Sequence, residues 1–307
     1  MNLKLPNFLV VGFPKCGSTS IYYYLKEHPE IFLPSQKELH YFTYPIISKQ
    51  NKGKGDKNIK QFHISSLEEY QKCFKSVKNE KAIGDVSPSY ANYPEVYNSI
   101  SERLGKNVKI IALLRDPIKR AYSNYLHLVR EEREHLPFFE ALQSEEDRKN
   151  KMYSDFWYYT FNSMYYDKIA RLKDNFSDLL IVNFEDFVNN PAEGIKKIYN
   201  FLEVNPDFIP EKIDTHYNPG GVYKKNALTQ FIFKPSPIKD MLKKLIPITS
   251  GMKQLKIKAI DKYRESTPPI DKNAENFLIE KFKEDVQKLD DNFNVKIHYW
   301  NRAFNKS

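Results

Sequence analysis

The chain has 307 residues, 41% of them hydrophobic, with two cysteines and a formal net charge of +9. That length and apolar content fill one large α/β fold or two small domains, and two cysteines exclude both a disulfide framework and a cysteine-based zinc site. No window approaches the roughly 18 apolar residues of a membrane span, and the basic excess comes without a zinc-finger, recognition-helix or RNA-binding signature, so charge alone does not argue for nucleic acid.

The run Phe8 to Val11 reads as a strand buried on both faces, and the start MNLKLPNFLV enters it almost at once. That leaves no room for a signal peptide, and with only Cys16 and Cys73 present the expectation is a cytoplasmic protein in a reducing compartment. A glycine-bracketed turn follows, Gly12-Phe13-Pro14-Lys15-Cys16-Gly17-Ser18-Thr19-Ser20, and then a helix. Its two glycines keep the GxxxxGK[ST] spacing of a phosphate loop, in which a lysine directly after the second glycine reaches the terminal phosphates. Here Ser18 fills the lysine slot, Thr19 keeps the hydroxyl, and Lys15 lies three residues back inside the turn. A turn that opens a helix offers unpaired amide donors and about half a positive elementary charge, so it suits an anion. A lysine within the turn adds a mobile full charge, able to neutralise a bridging oxygen as its bond breaks. Cys16, at a helix start beside Lys15, reads either as a thiol of lowered pKa whose alkylation bound nucleotide would slow, or as a small turn residue.

Further along, Lys49 to Lys60 holds five lysines and two glycines and is expected to be an exposed, mobile loop, either merely solvated or steering an acidic acceptor. Strands are expected at Ala82 to Gly84, Val108 to Leu114 and Leu179 to Val182, alternating with helical patterns. Such alternation, with no repeat and no linker, predicts one α/β domain over residues 1–307: a P-loop-like three-layer fold with a central parallel sheet flanked by helices. Pro117 suits the first turn of a helix, which puts Arg115 at the carboxyl end of a central strand, where open α/β sheets bind ligands. Two readings of Arg115 stay open here, a bidentate grip on phosphate or an ion pair with Asp116 or another carboxylate. Helix continues over Tyr122 to Glu134 and is interrupted by Pro137. The segment Phe231 to Lys262, punctuated by Pro235, Pro237 and Pro247, reads as a lid or acceptor loop within residues 227–265. A last helix at about Lys272 to Leu289 carries Phe277, Leu278, Phe282, Val286 and Leu289 at helical spacing, a core-packing stripe.

Pro14, Lys15, Gly17, Ser18, Thr19 and Ser20 together resemble the 5′-phosphosulfate loop of sulfotransferases that use 3′-phosphoadenosine-5′-phosphosulfate (PAPS), in which the loop lysine is the catalytic cation. Lys109 to Tyr125, with its Arg115-Asp116-Pro117 and Ser123, resembles the family's second cofactor segment, whose Arg and Ser hold the 3′-phosphate. Gly84 to Tyr90, Tyr165 to Val204 and Gly220 to Asn226 resemble three further family segments, the last a glycine and lysine loop that closes over the nucleotide. By that resemblance the nucleotide-binding residues are Pro14, Lys15, Cys16, Gly17, Ser18, Thr19, Ser20, Arg115, Ser123, Tyr223, Lys224 and Lys225. Lys37-Glu38-Leu39-His40-Tyr41-Phe42 resembles a Lys-Glu-x-His-Phe-Phe segment of the heparan-sulfate-type and related carbohydrate branch, in which the Glu is the general base. That segment often continues with Asp, where this chain has Thr43.

The resemblance therefore implies a soluble, bacterial-like member of the family with Lys15, Glu38 and His40 as catalytic residues. A hydroxyl needs a base as it attacks; Glu38 would take that role and His40 would orient or support it. PAPS would be the sulfuryl donor and adenosine 3′,5′-bisphosphate the product, with no metal required. The acceptor would be a saccharide or small-molecule alcohol, or an amine, with no nucleic-acid or membrane partner. Two other classes fit parts of the pattern: a P-loop nucleotide kinase or hydrolase, which Ser18 in the lysine slot opposes, and a non-catalytic binder of nucleotides or sulfated sugars, which would need no Glu38.

Overall fold

Five apolar runs pair into one parallel sheet, β1 (Phe8–Gly12), β2 (Ile31–Phe32), β3 (Ala82–Val86), β4 (Lys109–Leu114) and β5 (Leu179–Asn183), in the spatial order β2-β3-β1-β4-β5. The computed structural model describes residues 4–57, 63–213, 215, 221–224, 229 and 262–305. β1 is paired on both edges, Phe8 to Gly84 of β3 and Phe8 to Lys109 of β4, and its Phe8, Leu9 and Val10 are fully buried, as a continuous apolar run at the centre of a parallel sheet must be. The expected strands are all present. β2 carries no periodic signal: it is two residues long and joins the edge of β3 through Ile31 and Phe32. A second, two-stranded antiparallel sheet pairs β6 (Val222–Tyr223) with β7 (Arg264–Glu265). The lid or acceptor loop expected at residues 227–265 lies, apart from Thr229 and residues 262–265, outside the described residues, as does Lys225.

The helices of eight or more residues among the described ones are α1 (Ser18–Glu27), α2 (Tyr97–Leu104), α3 (Pro117–Arg130), α4 (Tyr166–Asn175), α5 (Pro191–Leu202) and α6 (Lys272–Phe293). α3 starts as the sequence dictates. Pro117 occupies its first turn and Asp116 caps it, accepting from Ile118 N at 2.9 Å and Lys119 N at 3.1 Å, a cap worth about 1 kcal/mol. α6 buries Leu278, Phe282, Val286 and Leu289 of the predicted stripe, and its fifth member, Phe277, packs half-buried against the core. From the same buried face Asp285 accepts from Tyr165 N at 2.8 Å and Tyr166 N at 3.0 Å, so the long C-terminal helix holds the start of α4.

The lysine-rich segment 49–60 departs from the expected mobile loop over its described part. Asp56 is fully buried and accepts from Gly53 N, Ser154 N and Oγ, Trp157 Nε1 and Arg133 Nη2. One carboxylate thus ties the Gly53 turn to two distant segments, and a Cβ at Gly53 would lie 2.4 Å from Asp56 Oδ2. Buried charge is retained where it is fully hydrogen-bonded, which lysine-rich composition does not reveal.

After β1 the chain runs to the β2 side of the sheet, and after β4 it runs to β5. The crevice between the carboxyl ends of β1 and β4 is therefore the switch point at which such sheets bind ligands. Gly12 brings the two strand ends together: its φ is 146° and a Cβ there would sit 2.7 Å from Leu113 N.

Candidate active site

The turn after β1 and the strand end after β4 meet at this crevice. Arg115 Nη1 donates to Lys15 O at 3.0 Å, and the fully buried Arg120 donates through Nη1 to Pro14 O at 3.1 Å. Arg120 is itself fixed by Ser163 Oγ, Asn124 Oδ1 and Tyr159 O, so the turn rests on an immobile guanidinium. Gly17 precedes α1 with φ 88°, a conformation made for glycine, and a Cβ there would press on the Phe184 ring at 2.7 Å. No side chain caps α1. Ser18, Thr19 and Ser20 form its first turn, which leaves the positive end of the helix at the crevice.

Lys15 stands in the left-handed region at φ 76°. Burial, then the neighbouring charges of Arg130 and Arg115, pull its ammonium down to about 7. Arg120 adds to this, and Glu131 only partly opposes it. The arginines come largely from one side of α3, where Arg120, Ser123, His127 and Arg130 share a face at helical spacing. Burial, then Lys15, Arg130 and Arg133, hold the His127 ring well below its usual range and hence neutral. Arg115 does not pair with Asp116, which is occupied as the α3 cap. It lies over the Phe184 ring at 4.8 Å and forms an ion pair with another carboxylate, Glu185, whose Oε1 is 3.9 Å from Nε, too far for a hydrogen bond, so the buried Nε has no hydrogen-bond partner. A buried donor without an acceptor, inside a group of cations, is an arrangement that a bound anion would complete.

Tyr165 joins the two halves from behind, its hydroxyl donating to Arg115 O at 2.8 Å and its ring 4.6 Å from that of Phe13. Tyr223 of β6 is buried and close enough to Arg130 for the two groups to act on each other electrostatically. Lys224 is exposed, with its backbone N–H on Tyr263 O at 2.9 Å. Both sit on the short second sheet, near the C-terminal end of α3 in the case of Tyr223.

The Glu38 segment lies at the carboxyl end of β3, the neighbour of β1. Glu38 N donates to Val86 O at 3.0 Å, while Ser87 N donates to Val10 O at 3.1 Å. Leu39 is buried and anchors a turn in which Glu38 has φ 64° and His40 φ 54°. Among the described residues seven non-glycine positions have positive φ, and Lys15, Glu38 and His40 are three of them. Each such residue costs on the order of 1–3 kcal/mol, strain that collects at functional sites. Lys37 Nζ contacts Glu38 Oε1, and His40 Nε2 is 4.0 Å from Glu38 Oε2. Burial tends to raise the Glu38 carboxyl, but Lys37, joined by His40 and His63 in the low-pH range where their rings are protonated, outweighs it and holds it down to about 2.

A sequence profile of the sulfotransferase family matches residues 6–207, a span that holds the turn, the Glu38 segment and all of α3. The chain belongs to the sulfotransferase family. The membrane-associated sulfotransferase kil1 of Dictyostelium discoideum is 37% identical over 126 residues, covering 40% of this chain and 23% of that protein. Human carbohydrate sulfotransferase 15 is 25% identical over 253 residues, 66% of this chain and 44% of the human one. Mouse heparan sulfate glucosamine 3-O-sulfotransferase 3B1 is 23% identical over 201 residues, 65% and 46% of the two chains. The chain thus spans less than half the length of these relatives. Among solved structures, a sulfotransferase from Alicyclobacillus acidocaldarius superposes with a TM-score of 0.76 at 27% identity, over 97% of this chain and 100% of that one. Among the described residues no helix is long and apolar enough to cross a membrane.

The fold decides between the two readings of Cys16 in favour of the small turn residue. Cys16 is 2% exposed, and burial, ahead of the opposing pull of Arg120 and Arg115, pushes its thiol up to about 12. It is a packed turn residue, not a reactive one. Iodoacetamide at pH 8 is expected to label Cys73, which is partly exposed, well before Cys16, with or without nucleotide; peptide mass spectrometry reads both sites. The site residues that sequence reasoning passed over are Arg120, His127, Arg130 and Tyr165. The first three repeat the Ser123 phase along α3, a signal that was available once the helix was assigned.

Proposed function

We propose that this sulfotransferase moves the sulfuryl group of PAPS to a hydroxyl of a carbohydrate or small alcohol. The observation that carries this reading is the gathering of Arg115, Arg120 and Arg130 around Lys15 at the switch point, without a carboxylate to neutralise it fully. Residues 14–20 would hold the 5′-phosphosulfate. Arg115 and Ser123 would hold the 3′-phosphate, with Tyr223, Lys224 and Lys225 closing over the nucleotide. As the acceptor oxygen bonds to sulfur, its proton goes to Glu38, supported by His40. The bond from sulfur to the phosphate oxygen breaks with its electron pair left on phosphate, beside Lys15. Positioning and charge supply the catalysis, with lysine and arginines in the role that metal ions hold in phosphoryl transfer. The carbohydrate choice rests on the Lys37 to Phe42 segment and on the named activities of the relatives. Two unpaired cysteines fit a reducing compartment such as the cytoplasm.

The test is titration with adenosine 3′,5′-bisphosphate together with a transfer assay using labelled PAPS and an acceptor panel. Absence of both binding and transfer would reject the proposal. The binding has a signature in protons. A free-state Lys15 titrating at about 7 is largely neutral at pH 8, and an anion among those cations raises its pKa. Binding should then take up a substantial fraction of one proton at pH 8 and less at pH 6, and affinity should fall as pH rises above 7, by up to about tenfold per unit. Calorimetry in two buffers of different ionisation heat measures the uptake, which should largely disappear in Lys15→Ala.

A further inference from the structure

Behind the Glu38 turn lies a closed ring of hydrogen bonds that fixes where protons sit. His40 Nδ1 is 2.6 Å from Ser89 Oγ, Ser89 Oγ is 2.6 Å from Thr43 Oγ1, and Thr43 Oγ1 lies 3.3 Å from the His40 carbonyl oxygen. Thr43 is fully buried and Ser89 is 4% exposed, so water does not rearrange the ring. Each hydroxyl has one proton to give, and a carbonyl only accepts. With the Thr43 proton on His40 O, Ser89 donates to Thr43 and the Ser89 oxygen accepts from His40. In a neutral ring that order puts the imidazole proton on Nδ1. The reverse direction, Thr43 to Ser89 to a bare Nδ1, would give up the bond to the carbonyl.

The ring is braced from β3. His40 N donates to Ser87 Oγ at 3.1 Å, and Ser87 donates to Asp85 Oδ1 at 2.7 Å. The other oxygen of buried Asp85 accepts from Tyr90 and Tyr70 hydroxyls at 2.8 and 3.1 Å. Both the backbone and the imidazole of His40 are thus held on the side away from Glu38. On the other side Nε2 faces Glu38 Oε2, with the His63 ring 4.5 Å from the His40 ring and Lys37 beyond Glu38.

We propose that Ser89 and Thr43 are positioning residues that set His40 as the Nδ1–H tautomer, so that its neutral ring turns the Nε2 lone pair toward the place where Glu38 meets the acceptor. The functional side of this rests on the proposed role of Glu38; the tautomer does not. A lone pair there can receive a proton relayed from the carboxylate or accept a hydrogen bond from the acceptor hydroxyl, whereas an Nε2–H ring could only donate. Imidazole free in water prefers the other tautomer, so the assignment is a departure that the ring must enforce.

The experiment is nitrogen NMR of the full chain carrying labelled histidine, at a pH where the His40 ring is neutral, its signals assigned with His40→Gln. Wild type should show a protonated Nδ1 and an unprotonated Nε2. Thr43→Val, which keeps shape and removes the hydroxyl, should shift His40 toward Nε2–H, and Thr43→Ser should restore the wild-type pattern. Protonated Nε2 in the wild type, or a Thr43→Val spectrum unchanged at His40, would overturn the proposal. Neither readout depends on turnover, so a failed transfer assay would reject the sulfotransfer reading and leave the tautomer decided on its own.

Discussion

Lys15→Ala is expected to lower turnover about 10²–10³-fold, the usual loss when one preorganised charge or donor is removed from a transition state, while affinity for adenosine 3′,5′-bisphosphate, compared at about pH 9 where Lys15 of the free protein is already neutral, changes by less than about tenfold. The asymmetry follows from place. The nucleotide phosphates would be shared among Arg115, Ser123 and the turn's amides, whereas the charge that grows on the leaving oxygen would meet the Lys15 ammonium first, with the arginines around it. The turn would survive the change, because it is held by Arg120 on Pro14 O and Arg115 on Lys15 O, and neither bond uses the lysine side chain. Equal losses in turnover and in nucleotide affinity would instead make Lys15 an ordinary anion ligand. A companion substitution separates function from fold. Lys15→Gly relieves a left-handed backbone at φ 76° and should stabilise the protein by about 1 kcal/mol, about 2 °C in thermal midpoint for a chain of this size, while turnover falls as in the alanine variant. Strain of this kind is kept where an active site needs it.

The strand-turn-helix and the strand ending in Arg115 were legible because their signals are local. Glycine spacing, an apolar run and a proline at a helix start each dictate structure within a few residues. What escaped depends on contacts far apart in the chain. Asp56 reads as one more charge in a lysine-rich stretch, and only the fold brings Ser154, Trp157 and Arg133 to it. Cys16 shows the same conflict within the turn itself. A helix start beside a lysine argues for a lowered thiol pKa, and burial in the core reverses the sign. β2 was invisible for a simpler reason, since two residues carry no period. Arg130 and His127 belong to an intermediate case: the phase that points them at Lys15 is written in α3, but their importance appears only when the loop is laid against that face.

Glu38→Gln is expected to remove about 10²–10⁴-fold of turnover, the range for a positioned general base, with nucleotide affinity unchanged. The pH behaviour makes this sharper. With Lys37 in contact, the carboxyl is held down to about 2, so Glu38 remains a carboxylate over the whole working range and contributes no acid limb to kcat/KM above about pH 3. Removing the cation with Lys37→Met takes away its attraction for the charged form, and the carboxyl rises toward its ordinary value near 4.3. A higher pKa means that the base is lost at a higher pH, so an acid limb should enter the measurable range at about pH 4–5 in Lys37→Met. The same change makes the carboxylate more basic, so turnover above the limb need not fall and can rise. An acid limb of Lys37→Met that coincides with wild type, or a Glu38→Gln variant that keeps full activity, would move the acceptor's proton away from Glu38 and leave the Lys37 contact as a structural ion pair.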